Sequence, residues 1–266
     1  MSDRAGKGYW DGVWADVAVP TPVDHTDPHF RNRVNRVFAA FFDRALNGLA
    51  PGSWLLEVGC ARSEWLPYFA RRYPMTVTGL DYSEDGCALE REVLRRAGVD
   101  GDVLHSDLFT PPPESLEAFD AVVSLGVVEH FDDTAACIEA IARLAKPGGV
   151  VITVIPNMAG AQGLLQRVAN PSVFDIHVPL TASNLANAHR RAGLAVEESK
   201  YLLSTNFGVV NLHGRKKTTG TRLLERLLLQ LTRISKLAWI FEDRFGPLPA
   251  TRTFAPYVGC WARRPV

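Results

Sequence analysis

The sequence predicts a doubly wound α/β domain, and three observations carry that expectation. Apolar, β-branched runs alternate with helix-spaced segments from residue 54 onward. The first run, Trp54-Leu55-Leu56-Glu57-Val58, enters a tight turn of small residues, Gly59-Cys60-Ala61-Arg62-Ser63, which opens a helix-like stretch from Leu66 to Arg72. Further on, Lys146-Pro147-Gly148-Gly149 turns the chain into another apolar run. Strands alternating with helices imply a mainly parallel sheet covered on both faces. Right-handed crossovers then put the ligand crevice at the carboxyl ends of the strands.

The elements follow in order. Gly8 to Asp16 carries Tyr9, Trp10 and Trp14, and Pro20, Pro22 and Pro28 then interrupt regular structure. Arg33 to Leu46 has Val34, Val37, Phe38, Phe41, Phe42 and Leu46 at helical spacing and stops at Asn47-Gly48. Residues 1–50 are therefore expected to form a flap and a helix laid on the domain. The flap's rings either staple the terminus down or cover a flat ligand as a lid.

The core, residues 51–203, continues with strands at Thr76–Asp81, Asp102–Asp107, Phe119–Leu125, Val150–Ile155 and Leu194–Leu203. Helices are expected from Ser83 to Ala97, Thr134 to Leu144 and Ala182 to Ala192, with Ser83 as an N-cap and Asp85 in the first turn. Residues 204–253 read as a polar loop, Asn211 to Gly220, followed by a helix. That helix puts Leu224, Leu227, Leu228, Leu231, Ile234, Leu237 and Phe241 on one face and Arg222, Arg226, Arg233 and Lys236 on the other. It is expected to pack on its own domain, or to act as a homodimer face or substrate lid. Residues 254–266 hold the last strand, Phe254–Arg263.

Composition narrows the function. The 266 residues are 47% hydrophobic, enough for a substantial core, and 29 basic residues balance 29 acidic ones. A formal charge of zero argues against a nucleic-acid partner. Cys60, Cys87, Cys137 and Cys260 have no C-x-x-C spacing, so reduced thiols are expected rather than a metal or disulfide framework. Met1 to Gly8 lacks an apolar leader and no run reaches membrane-span length, so a cytoplasmic protein with no membrane partner is expected.

The turn after the first strand is the first candidate site. Gly59 admits a ligand close to the backbone, and a helix start offers free N–H groups to an anion. A dinucleotide site would read G-x-G-x-x-G, but only the first glycine is present here. Asp81 ends the second strand, where a carboxylate can accept hydrogen bonds from both hydroxyls of a ribose.

Six separated stretches agree in order and spacing: Leu56-Glu57-Val58-Gly59-Cys60, Gly79-Leu80-Asp81-Tyr82-Ser83, Ser106-Asp107-Leu108, Phe119-Asp120-Ala121-Val122-Val123-Ser124, Val128-Glu129-His130 and Lys146-Pro147-Gly148-Gly149. Through them the chain resembles the class I S-adenosylmethionine-dependent methyltransferases, in their small-molecule, natural-product branch, over roughly residues 55–194. The resemblance implies a Rossmann-like, mainly parallel seven-stranded sheet whose C-terminal strand is antiparallel. It implies S-adenosyl-L-methionine as cofactor, S-adenosyl-L-homocysteine as product and a small-molecule acceptor as partner.

It also implies roles. Gly59, Cys60, Ala61 and Ser63 would form the loop around the cofactor's amino-acid end, with Glu57 holding its ammonium group. Because a buried unpaired carboxylate is costly, Glu57 should have a cationic partner. Asp81 would hold the ribose, with Tyr82 and Ser83 beside it. Asp107 would meet the adenine amino group and Leu108 would offer its backbone amide to the ring. Leu125 and Gly126 would run beneath the sulfonium. His130 and His177 are the candidate bases, His177 ahead of His130, with Asp175 placed to orient an imidazole and His25 and His29 as outside candidates. Tyr9, Trp10, Trp14, Asn157 and His177 are expected to border the acceptor. A quinone-pathway subgroup binds a metal through an extra upstream Glu in the His130 loop; Gly126, Val127 and Val128 supply none, so no metal is expected.

The leading expectation is methyl transfer to a hydroxyl, or to an amine, of a small, partly apolar acceptor in secondary metabolism, antibiotic biosynthesis included. The histidines favour a hydroxyl, which needs deprotonation more than an amine does. The alternatives are an NAD-dependent oxidoreductase, disfavoured by the missing glycines and by Asp107, and a non-catalytic cofactor-binding module.

Overall fold

The computed structural model describes residues 3–14, 17–212, 215 and 218–266. Seven strands form one sheet: β1 (Trp54–Val58), β2 (Thr76–Asp81), β3 (Gly101–His105), β4 (Phe119–Leu125), β5 (Ala145–Pro156), β6 (Ala195–Leu202) and β7 (Tyr257–Arg263). Their order is β3-β2-β1-β4-β5-β7-β6. β1 pairs parallel with β2 and β4, and β7 runs antiparallel between β5 and β6, as the resemblance implied. The order reverses between β1 and β4, so the loops leaving these two strands part and open a crevice.

Alternation along each strand sorts the core onto the two faces. Leu55, Val77, Ala121, Val123 and Ile152 pack with Phe38, Phe41, Phe42, Leu66 and Phe69 from α2 (Arg33–Ala45) and α3 (Leu66–Arg72). Trp65 belongs to this layer, edge-on to Phe42 and Tyr68, so it packs rather than binds. Leu56, Val58, Val122 and Val151 face the other way. They meet Ile138 and Ile141 of α5 (Thr134–Ala142) and Leu185 of α8 (Ala182–Arg191). Between β2 and β3, α4 (Glu84–Ala97) starts at Ser83, whose side chain accepts from the Gly86 amide.

Several elements depart from expectation. Gly8 to Trp14 lies in a helix, α1 (Lys7–Trp14), despite Gly8 and Gly12. β3 ends at His105, two residues early, because Asp107 turns the chain by accepting from the Phe109 amide. β5 begins at Ala145, five residues early, with an irregularity opposite Phe119–Ala121 that absorbs the Gly148-Gly149 turn. Two short helices, α6 (Ala161–Ala169) and α7 (Pro171–Asp175), occupy a stretch with no clear apolar period.

The insertion is a 27-residue helix, α9 (Thr219–Phe245). Only a narrow stripe of it is covered, at Thr221, Leu228, Ser235, Trp239 and Glu242, and Arg33 of α2 pairs with Glu242. Leu227, Ile234, Leu237 and Phe241, expected to be its packed face, are exposed. Half of the loop before it, including His213 and Lys216, lies outside the described residues. No helix among the described residues is long and apolar enough to cross a membrane.

Candidate active site

The crevice between the β1 and β4 loops is a cavity of about 390 Å³. Gly59 and Ala61 line it after β1, Asp81 and Tyr82 after β2, Asp107 and Leu108 after β3, and Leu125, Gly126 and His130 after β4. Trp10 and Trp14 of α1 also face it, together with Asp3, Gly6 and Lys7. Eleven of the residues expected from the sequence thus share one space. Glu57, Cys60, Ser63, Ser83, Tyr9, Asn157 and His177 are not among the lining residues.

Gly59 is required where it stands. Its φ is +75°, and a Cβ there would come within 2.5 Å of Val127 Cγ2, so any side chain would close the gap between the two loops. Asp81 is buried at the cavity wall. Its Oδ1 accepts from the Ser83 amide at 2.9 Å and its Oδ2 from the Ala61 amide at 3.1 Å. These two bonds fix the carboxylate plane and leave lone pairs on both oxygens for a diol. Burial raises its pKa.

Several residues near the loop work from behind it. Cys60 is fully buried, its Sγ beneath Gly79. Ser83 caps α4 and donates to Asp11 Oδ1, which ties α1 to the domain. Ser63 donates to Glu57 Oε2 at 2.6 Å and accepts from the Trp65 and Leu66 amides. The amides at the start of α3 are therefore taken from inside, which corrects the expected anion cradle. Glu57 has no cationic partner among the described residues, also against expectation; burial pushes its pKa up to about 7. Glu90 was missed altogether. It lies on the inward side of α4, accepts from the Ser63 amide at 2.7 Å, and is pushed up to about 9 by burial and by the charge of Glu57. Its spacing from Cys87, Val93 and Leu94 was the available signal.

On the β4 side, His130 is buried with its ring against Trp10, 5.0 Å between centroids, and against His177, 4.6 Å. Its Nδ1 lies 2.8 Å from the Ile176 carbonyl, and His177 Nδ1 lies 2.6 Å from the Val173 carbonyl. A carbonyl only accepts, so each Nδ1 carries a proton and Nε2 is the atom of each ring left for a further partner. His177 thus stands behind His130, oriented by Val173 rather than by Asp175. Burial, and then the repulsion that two protonated rings would have at this distance, push it down to about 4. Of these two candidate bases, His130 lines the cavity and His177 is not among its lining residues. Glu129 is buried with neither carboxylate oxygen hydrogen-bonded, and burial raises its pKa.

The remaining candidates lie elsewhere. Asn157 is buried and donates to the Arg252 and Ala255 carbonyls, bracing the approach to β7. Tyr9 is exposed, His25 packs on Tyr68, and His29 accepts from the Arg31 amide. The N-terminal segment carries contacts that the sequence did not point to. Asp3 Oδ2 accepts from both Trp10 Nε1 and the Tyr82 hydroxyl, and the Arg4 guanidinium donates to the His177 and Asp175 carbonyls.

The family profile described as Methyltransferase domain matches residues 29–199, more than half of the chain. The chain belongs to that family. This methyltransferase is 31% identical over 156 residues to the Ubiquinone biosynthesis O-methyltransferase of Stutzerimonas stutzeri (strain A1501), covering 55% of this chain and 66% of that protein. It is 36% identical over 103 residues to Cycloartenol-C-24-methyltransferase 1 of Oryza sativa subsp. japonica, covering 38% of this chain and 30% of that protein. The chain matches less than two thirds of either relative's length. The fold is shared with geranyl diphosphate C-methyltransferase from Streptomyces coelicolor A3(2), solved with Mg2+, geranyl diphosphate and S-adenosyl-L-homocysteine. The TM-score is 0.62 at 17% identity, over 97% of this chain and 98% of that one. The family is thus one of methyltransferases, and the neighbour that shares the fold holds S-adenosyl-L-homocysteine. In this chain a buried carboxylate with no cationic partner among the described residues, Glu57, stands behind the loop, and an oriented carboxylate, Asp81, stands at its side.

Proposed function

We propose that this methyltransferase acts on a hydroxyl of a small, partly apolar acceptor of the natural-product type. The observation that carries this reading is His130, whose free Nε2 belongs to a residue lining the cavity on the β4 side. The donor supplies an electrophilic methyl group on a sulfonium. The chain's work is therefore to hold two molecules in line, keep water out and dispose of one proton. Asp81 takes the ribose hydroxyls, Asp107 and Leu108 the adenine, and Glu57 the ammonium group, directly or through water. Trp10, Trp14, Val127 and Phe131 give the acceptor an apolar seat beside His130, and residues 3–14 act as the lid. The hydroxyl proton leaves toward His130. Relatives named for O-methylation support a hydroxyl over an amine, while the sterol relative shows that the acceptor varies within the family.

Radiolabelled methyl transfer across phenols, alcohols and amines tests this. Labelled ether from one or more phenols or alcohols is the expected result. Transfer confined to amines, or to none of the panel while S-adenosylhomocysteine binds, would contradict it.

A further inference from the structure

At the cavity wall and just behind it, three side chains leave their best ligand atoms without protein partners among the described residues. Both oxygens of Glu129 are buried and unbonded. His130 and His177 each spend Nδ1 on a backbone carbonyl, so both Nε2 atoms remain. One ligand atom from each of Glu129, His130 and His177 lies within 4.8 Å of the others. His130 Nε2 is 3.9 Å from Glu129 Oε1, too far for a hydrogen bond, so on a neutral ring a lone pair faces an acceptor across a gap. Unrelieved, that arrangement is repulsive and desolvated.

Against the expectation of no metal, which considered only the His130 loop, we infer that Glu129, His130 and His177 bind a divalent first-row transition cation such as Zn2+ or Co2+. Two imidazoles and one carboxylate make a donor set for these ions rather than for Mg2+ or Ca2+, which prefer oxygen throughout. Metal-binding imidazoles commonly donate their second N–H to a carbonyl, as both do here. Arg4 clamps the two histidine-bearing loops by donating to the His177 carbonyl from its side chain and to the His130 carbonyl from its amide. Gly126 lines the cavity, and a Cβ there would come within 3.7 Å of Glu129 Oε1, so the carboxylate lies directly behind the wall at this point, while His130 faces the cavity itself.

The inference rests on the hydroxyl reading above and gives it a means. An acceptor hydroxyl that becomes a further ligand is made more acidic by the cation. Its O–H bond breaks with the electron pair left on oxygen, and the proton passes to solvent. That oxygen then bonds to the methyl carbon as the methyl–sulfur bond breaks and its electron pair returns to sulfur. His130 is in that case a ligand and not the base.

Tag-free, EDTA-treated protein titrated with Co2+ provides the test, followed by calorimetry and by the visible absorption of the bound ion. One equivalent should bind with new visible bands, and Mg2+ at the same concentration should not. Glu129→Gln and His177→Gln should each weaken Co2+ by at least about tenfold, the least that losing even an outer-shell partner costs, whereas His29→Ala should bind like the parent. S-adenosylhomocysteine binding to the same samples reports folding. No binding by the parent protein, or unchanged binding in either variant that still takes up S-adenosylhomocysteine, overturns the site. Should both variants fail to take it up, the parent protein decides by competition: Zn2+ must displace Co2+ and abolish its bands, and their persistence overturns the site. Methyl transfer to a hydroxyl that proceeds fully in EDTA would end the metal inference and leave the hydroxyl reading intact.

Discussion

The two halves of the cavity are built on opposite rules. On the β1 and β2 side, polar groups are held by the protein itself: each Asp81 oxygen accepts a backbone amide, and Glu57 is held by Ser63. On the β4 side, the Glu129 carboxylate has no hydrogen bond among the described residues, and two imidazoles keep Nε2 unused. A half that is complete in itself is suited to a constant ligand, whose contacts can be prepared in advance. A half with unmet valences is suited to chemistry, because its groups gain their partners only when the reaction is assembled. Mutations should therefore separate the halves, affecting cofactor affinity on one side and turnover on the other.

The largest effect is expected from His130→Ala. Turnover should fall by roughly 10²–10⁴-fold, the usual worth of a group that brings about loss of the proton, whether His130 takes it directly or holds the cation, with S-adenosylhomocysteine affinity changed less than about twofold. A parallel loss of cofactor affinity would erase the distinction between the halves. Asp81→Ala should do the reverse, weakening S-adenosylhomocysteine by about 1–3 kcal/mol for the loss of charge-assisted hydrogen bonds. Isothermal titration reads both. Unchanged affinity in the Asp81 variant would remove it from the ribose.

A smaller effect sharpens the boundary at the N-terminal helix. Trp10 lines the cavity and touches His130, whereas Tyr9 is exposed. Trp10→Ala should raise the acceptor KM by about tenfold, in line with the roughly 1.5 kcal/mol of a ring contact, and Tyr9→Ala should leave it within about twofold. Equal effects would mean that α1 only staples the terminus.

The smallest effect concerns stability. Glu90 holds its proton in the folded protein up to about pH 9, whereas the unfolded chain loses it near the ordinary value of 4.5. The folded state therefore binds more protons than the unfolded one in that window, and stability falls as pH rises through it. Glu57 contributes with the same sign only up to about 7. Thermal unfolding of Glu90→Gln should lose part of the decline between about pH 7 and pH 9. An unchanged slope would show that Glu90 does not titrate there.

The sequence was most legible where period and turn chemistry coincide. β2, β4, α4 and the N-cap Ser83 lie where alternation and capping put them, and the strand ends carried Asp81 and the loop residues into the cavity with them. Illegible were features that depend on which chain segments come together. Asn157 sits in a motif-like stretch yet turns toward the segment before β7. Glu90 is hidden in a helix rich in charged residues, and nothing in its local pattern says that Ser63 and Glu57 will face it. His177 reads as a free base until its distance from His130 is known. α6 and α7 escaped because Gly163 and Pro171 break a short period before it can be recognised.

The central claim is that one cavity holds the donor on the Asp81 side and presents its sulfur to His130. A crystal structure with S-adenosylhomocysteine tests it most directly. The account predicts both ribose hydroxyls on Asp81 and the sulfur facing open space beside His130. A nucleoside bound away from Asp81, or a sulfur walled off from His130, would contradict it.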